Sequence, residues 1–241
     1  MISRLDLHAY RSDQVIGLIL AGGAGQRMGG KDKGLIELKG RPLVQWVAEA
    51  LRPQVKGLLI SANRHQERYA ELGWPVIADD RPIDQEASSE IYQGPLAGIA
   101  AALNWLQMQP QDWINRIQTQ QTDPTPDPSP DPVESDHPPA WLLISPCDTP
   151  LIPTDLGSRL AAALQSQQAR IAIAADQARS QPLHLLLPTD IGADLEDYLD
   201  HGRRSVLGWL ERHQIATATF KQSPSPFSNL NRPADAASIH A

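Results

Sequence analysis

The stretch LILAGGAGQRMGGKDKG, residues 18–34, passes from an apolar segment into a glycine-rich loop that also carries Arg27, Lys31 and Lys33. Glycine lets a backbone approach a ligand closely, because no Cβ intervenes. Successive backbone N–H groups in such a loop form an anion-binding concavity. Cationic side chains beside it suit phosphate oxygens. A second candidate lies far downstream, where the apolar run WLLIS is followed by PCDTPLIP and presents Asp148 between Pro146 and Pro150. A carboxylate on a stiffened turn can hold Mg²⁺, which takes few protein ligands when phosphate and water supply the rest. Asp79 and Asp80 follow WPVIA in the same way, although an aspartate there also serves as a turn residue. Asn229 and Asn231, in FSNLNRPADA, form turns or hydrogen-bond a polar ligand.

Familiar phosphate motifs fit incompletely. From Gly25 the chain matches the start of a P-loop, but the next position, which should be Ser or Thr to hold magnesium, is Asp32. The dinucleotide fingerprint from Gly23 needs a glycine where Met28 stands. There is no H-E-x-x-H and no G-x-S-x-G, so metal- and serine-hydrolase chemistry lacks its motif. The histidines form no cluster, and His65 reads as a helix-surface residue. The expectation is a nucleotide site outside the common ATPase and dehydrogenase types.

Such residues need elements to hold them. Apolar runs at 15–20, 57–61, 74–78, 141–145, 170–174, 183–187 and 215–220 read as strands. Most are too continuously apolar for a half-wet sheet and imply a buried, mainly parallel one. Between them, 41–51, 95–106 and 154–164 show helical spacing, with Pro42 at the first position of one helix and Thr154 capping another. The fold class is therefore α/β, a doubly wound, Rossmann-like sheet with helices on both faces. Ligands in such sheets bind beyond the carboxyl ends of strands, where the candidate residues fall.

Net charge is −7 over 241 residues, so the basic loop is a local feature of an acidic protein and nucleic acid is not expected. The single cysteine, Cys147, excludes an internal disulfide and fits a reducing compartment. Residues 1–14 lack the apolar core of a signal peptide, and no run reaches the ~18 apolar residues of a membrane span. A cytoplasmic protein is expected. Residues 15–235 read as one domain with a polar extension at 1–14. An insertion at 107–139 contains DPTPDPSPDP, where alternating proline forbids helix and central strand and predicts an extended, solvated segment.

Taken together, LILAGGAGQRMGGKDKGLIELKGRPLVQWVAEAL, ISANRHQERY, VIADD, GPLAGIAAAL, PCDTPLIP and NLNRPADA resemble the molybdenum cofactor guanylyltransferases, nucleotidyltransferases of the nucleotide-diphospho-sugar-transferase fold type. The resemblance covers most of 15–235, apart from the insertion. It implies transfer of GMP from GTP to molybdopterin, giving the guanine dinucleotide cofactor and pyrophosphate, with Mg²⁺ as cofactor. Residue by residue, it places Leu20, Ala21, Gly22, Gly23, Ser61 and Asp79 along the nucleotide. Arg27 and Lys33 fall on the phosphates, and Asp148 on Mg²⁺ and phosphate. Gly30, Gly94, Asn229 and Asn231 fall on the pterin and product side. It also implies GTP and Mo-molybdopterin as partners, with molybdenum-insertion proteins and molybdoenzyme chaperones as candidate protein partners, and no membrane. Two departures stand out: Ser61 replaces a frequent Asn, and Gln181-Pro182 replaces a usual His-Pro pair.

Two kinds of alternative remain open. One is a molybdopterin cytidylyltransferase or another sugar- or polyol-phosphate nucleotidyltransferase; LAGG rather than LAAG favours guanine. The other is a non-catalytic nucleotide-binding adaptor, against which the joint presence of Arg27, Lys33 and Asp148 argues.

Overall fold

The computed structural model describes residues 10–21, 32–79, 94–108 and 139–230. Most of the expected insertion, the glycine-rich loop from 22 to 31, and residues from 231 onward lie outside them. In chain order the strands are β1 (Val15–Leu20), β2 (Glu37–Leu38), β3 (Arg41–Pro42), β4 (Gly57–Ser61), β5 (Val76–Ile77), β6 (Trp141–Pro146), β7 (Ile171–Ala175), β8 (Ser180–Pro188) and β9 (Ile215–Thr219). The α-helices are α1 (Leu43–Leu51), α2 (Gln66–Ala70), α3 (Pro95–Met108), α4 (Leu156–Gln167), α5 (Gly192–Asp200) and α6 (Val206–Leu210).

Seven strands form one sheet in the order β5-β4-β1-β6-β8-β7-β9, and β2 and β3 form a separate ribbon. Strands β5, β4, β1 and β6 are mutually parallel, as are β7 and β9. Alternation along β1 explains why it reads as continuously apolar. Val15 and Ile19 join the core under α1 and α4, and Ile16 and Leu18 join the core under α3, α5 and α6. Leu143 against Leu142 and Ile144 repeats this on β6, so both sheet faces are dry. This is the mainly parallel α/β sheet expected from the sequence.

One strand departs from the parallel expectation. β8 is antiparallel to both β6 and β7. The four residues between β7 and β8 can only reverse the chain, because a parallel return requires a crossover of a dozen residues or more. Between Ile173↔Leu185 and Ala174↔Gln181 the register shifts, so Pro182, Leu183 and His184 bulge from β8.

Helix starts also differ from expectation. Pro42 ends the β2–β3 ribbon and caps α1 rather than opening it. Thr154 does not cap α4; Asp155 holds that position with no side-chain hydrogen bond. A distant residue satisfies the helix start instead, since buried Gln54 accepts from the Gly157 N–H at 2.8 Å. Tyr10 lies against the same turn and donates to the Gln54 carbonyl at 2.5 Å. No helix among the described residues is long and apolar enough to cross a membrane.

Candidate active site

The chain runs from β1 out to β4 and β5 on one side, and then returns to place β6 on the other side of β1. The strand order therefore reverses between β1 and β6, and the crevice beyond their carboxyl ends is where such sheets take ligands. Register lines up three of the expected segments there. Leu20 stands opposite Ser61 on one side and Pro146 on the other. The ladder continues past the strands, with Ala21 N donating to Ser61 O (2.8 Å) and Cys147 N to Leu20 O (3.0 Å).

Asp148 follows directly. It is 7% exposed, and its Oδ2 lies 3.0 Å from Lys33 Nζ. The two residues are 115 apart in sequence, yet each belongs to the segment that leaves one wall of the crevice. The turn holding Asp148 is braced from behind. Thr149 is fully buried, and its Oγ1 donates to Pro146 O (3.2 Å), so His184 Nε2 donates to Thr149 (2.9 Å). Burial lowers the pKa of His184 to about 3, so the ring is neutral at pH 7. It packs at 4.6 Å against the ring of Phe227. In front, the Asp148 carbonyl accepts from Leu230 N at 2.9 Å, which brings exposed Asn229 beside the turn.

Lys33 opens a single 3₁₀ turn, Lys33–Leu35. Buried Asp32 caps it, with Oδ1 accepting from Gly34 N (3.2 Å) and from the hydroxyl of Tyr69 (2.5 Å). Cys147 Sγ lies beside Gly34 of the same turn, next to Tyr69, and its thiol is pushed up by burial and then by the nearby charges of Asp148 and Asp32. At the far end of the crevice, Asp79 N donates to Asn63 Oδ1 at 2.8 Å, which fixes Asp79 two residues past β5. Ser61 is 6% exposed and faces Gly98 in the first turns of α3, so its side chain is turned into the protein rather than into the crevice. Gly94 precedes α3 with φ of +84°, a conformation that favours glycine.

Of the residues singled out from sequence, Leu20, Ala21, Lys33, Asp79 and Asp148 gather at the strand ends, with Ser61 buried beneath them. Gly22, Gly23, Arg27, Gly30 and Asn231 lie outside the described residues. His65 is exposed and sits at the N-cap of α2, in the left-handed region, instead of on a helix face. Tyr69, Thr149 and His184 had no sequence signal. Asp32 has one, an aspartate directly before a turn, besides its part in excluding a P-loop.

A family model, the MobA-like NTP transferase domain, matches residues 17–215. The chain belongs to the MobA-like NTP transferase family. It is 38% identical over 220 residues to a molybdenum cofactor guanylyltransferase of Shewanella halifaxensis, covering 91% of this chain and 90% of the relative. A protein of the same name from Shewanella loihica is 36% identical, with 92% and 93% covered. Among solved structures, molybdopterin-guanine dinucleotide biosynthesis protein A of Archaeoglobus fulgidus superposes with a TM-score of 0.57 at 19% identity, covering 92% of this chain and 95% of that one. A 4-diphosphocytidyl-2C-methyl-D-erythritol synthase of Anaerococcus prevotii does so with 0.58 at 11%, covering 94% of each. These two likenesses establish the nucleotidyltransferase fold, and the family makes this chain a nucleotidyltransferase.

Proposed function

We propose that this protein transfers GMP from GTP to molybdopterin, releasing pyrophosphate, in the cytoplasm and with Mg²⁺. The observation that carries the reading is the Lys33–Asp148 pair at the point where strand order reverses, in a chain that shares more than a third of its residues with guanylyltransferases. A molybdopterin phosphate is a suitable nucleophile without help. Phosphate monoesters have a second pKa near ~6, so the group is already largely ionised at neutral pH and no general base is needed. The chain's task is to bring two anions together. Lys33 supplies a fixed positive charge for the triphosphate, and the strand-end backbone supplies the walls that orient it.

Asp148 fits a magnesium ion of the kind that nucleotides carry. It offers hard carboxylate oxygen at the crevice, and no group of three or more metal-binding side chains is found among the described residues. That donor set suits an ion completed by phosphate oxygens and water rather than one caged by protein. When bound, the ion would polarise the α-phosphate and stabilise leaving pyrophosphate. Asp79, held by Asn63, stands at the nucleoside end; Gly94 and Asn229 stand on the acceptor side. The fit of Arg27 and Gly30 follows from the same family resemblance, and protein partners in molybdenum insertion or delivery are part of the reading.

The test is nucleotide selectivity. GTP with Mg²⁺ is expected to raise the melting temperature well above CTP or ATP, by mass-action linkage, and to yield pyrophosphate once molybdopterin is added. Equal or larger effects with CTP would replace the guanylyl assignment with a cytidylyl one.

A further inference from the structure

Lys33 hangs on a turn of three residues, and so short an element does not hold itself in place. We infer that Tyr69 and Asp32 are positioning residues, a strut that fixes where the Lys33 ammonium stands relative to Asp148; this rests on Lys33 being the phosphate-neutralising group. The Tyr69 hydroxyl donates to Asp32 Oδ1 at 2.5 Å, across 37 residues of sequence. The same oxygen accepts from Gly34 N, so one carboxylate atom joins α2 to the turn that carries Lys33. Tyr69 is wholly buried, and Asp32 is 7% exposed.

Packing supports the same conclusion. At Gly34 a methyl group would collide with the Tyr69 hydroxyl and come within 3.2 Å of Cys147 Sγ. Tyr69 and the residue directly before Asp148 therefore both pack against the turn at the point where a Gly34 side chain would stand. That packing fixes the height of the turn above the strand ends, where Lys33 Nζ stands 3.0 Å from Asp148 Oδ2. Asp32 is also held at a cost. Its Oδ2 is buried and accepts no hydrogen bond among the described groups. A carboxylate oxygen buried without a donor is unfavourable for stability, and a site that keeps one invites a functional reason. Tyr69 reaches this point from the segment that begins at Ala62 and also carries Asn63, whose side chain fixes Asp79. One short segment thus anchors both the proposed nucleoside end and the proposed phosphate end.

The experiment compares Tyr69→Phe, Asp32→Ala and Asp32→Asn with wild type, well below each melting temperature. Tyr69→Phe and Asp32→Ala are expected to lower kcat for pyrophosphate release about tenfold, with the Kd for GTP changed less than twofold, because misplacing a charge harms the reaction more than the encounter. Asp32→Asn keeps the accepting oxygen and should recover most of the loss. In a Lys33→Ala background, Tyr69→Phe should have no further effect on kcat, since the strut acts through Lys33. A buried tyrosine with a purely structural role predicts additive losses instead, and additivity would overturn the inference. A readout free of turnover comes from acylating lysines with a soluble reagent and following each by mass spectrometry. Lys33 should react several-fold faster in Tyr69→Phe while Lys56 and Lys221 keep their wild-type rates. Unchanged Lys33 reactivity sinks the strut whatever the reaction. Lack of pyrophosphate release from GTP by the wild type would sink the guanylyl reading and leave the labelling result to decide the strut.

Discussion

Asp148 and Asp176 are both aspartates that come within two residues of the end of an apolar strand, and they face opposite kinds of partner. Asp148 follows β6 in the parallel half of the sheet, where the strand order reverses, and it faces a lysine ammonium. Asp176 follows β7 in the half where β8 turns back, and it faces neutral donors only among its hydrogen-bond partners. Its Oδ1 accepts from Ala178 N (2.8 Å) and Arg179 N (2.9 Å), and its Oδ2 from Ser225 Oγ (2.7 Å) and Gln181 Nε2 (3.0 Å). These bonds, that from Ser225 first, lower its pKa to about 2. What separates the proposed ligand-binding aspartate from the turn aspartate is therefore the topology around the strand end and the chemistry of its partners. The residue type alone does not separate them.

The sharpest way to break the comparison is the same substitution at both sites. Asp148→Asn leaves Lys33 one accepting oxygen but removes the negative charge that pairs with its ammonium and that a hard cation needs. Turnover is expected to fall on the order of 10²–10³, as for loss of one transition-state contact, while the melting temperature stays near wild type. Added Mg²⁺ should recover part of the rate, because the defect is partly one of metal affinity. A folded variant with wild-type rates across a Mg²⁺ titration would place Asp148 with Asp176 as a turn residue.

Next in size is Gly34→Ala, which tests the packing around Lys33 on the Asp148 side. The added methyl must displace the Tyr69 hydroxyl or the Cys147 thiol. Overpacking of this kind costs about 1–3 kcal/mol, which for a chain of this length lowers the melting temperature by roughly 2–4 °C per kcal/mol. Scanning calorimetry reads the shift directly. An unchanged melting temperature would mean that the turn relaxes freely and that nothing clamps Lys33.

The two halves also differ in how far the sequence disclosed them. The seven strands of the main sheet, helices α1, α3 and α4, and the strand-end places of Leu20, Lys33, Asp79 and Asp148 are legible, because apolar runs end abruptly in polar, glycine- or proline-bearing turns; the β2–β3 ribbon and helices α2, α5 and α6 are not. The direction of β8 was not read, since an unbroken apolar run looks the same either way; the short 176–179 link was the overlooked sign. The struts left no trace in any periodicity. Tyr69 meets Asp32 across 37 residues, His184 meets Thr149 across 35, and Gln54 meets Gly157 across 103. Such pairs become visible only when folding brings distant segments together. Ser61 was placed on the nucleotide by resemblance, and its burial against α3 depends on a helix some forty residues later.

A smaller effect should appear in the acid limb of stability, and it belongs to the brace behind Asp148. His184 has a folded pKa of about 3, below the ordinary value of 6.5, because burial disfavours its charged form. The unfolded chain takes up a proton at this residue below about pH 6.5 and the folded chain does not. The stabilising contribution is therefore complete above that pH and is lost as pH falls toward 3. His184→Leu removes the hydrogen bond to Thr149 and should be less stable at pH 8. Its stability should then decline less steeply with acid, by up to ~1.4 kcal/mol per pH unit below about pH 6. Urea denaturation at several pH values measures the two slopes, and parallel slopes would show that His184 titrates normally in the folded state.

The smallest effect is expected at Asp176→Asn, and the reason sharpens the opening comparison. Lys33 can only donate, and an amide at residue 148 offers it one neutral oxygen in place of a charged carboxylate. The partners of Asp176 Oδ2 are a glutamine amide and a serine hydroxyl, which can donate or accept. On placing an amide NH₂ there, Gln181 can turn its carbonyl oxygen inward and Ser225 can rotate its proton away. The remaining Asn oxygen still accepts from Ala178 and Arg179, so the turn keeps its backbone bonds. Stability near neutral pH should fall by about 1 kcal/mol, since the charged carboxylate that holds these bonds becomes a neutral amide at a largely exposed site. The depressed pKa gives a second, signed expectation. Asp176 stabilises the fold above the ordinary carboxylate pKa of 3.8 and loses that contribution as pH falls toward 2. Asp176→Asn should therefore flatten the stability curve between about pH 4 and 2. Turnover per folded molecule should remain near wild type. A large loss of turnover here would mean that the Ser225 loop, which leads to Leu230 and its bond to Asp148, transmits its position into the crevice. The two aspartates would then be parts of one device.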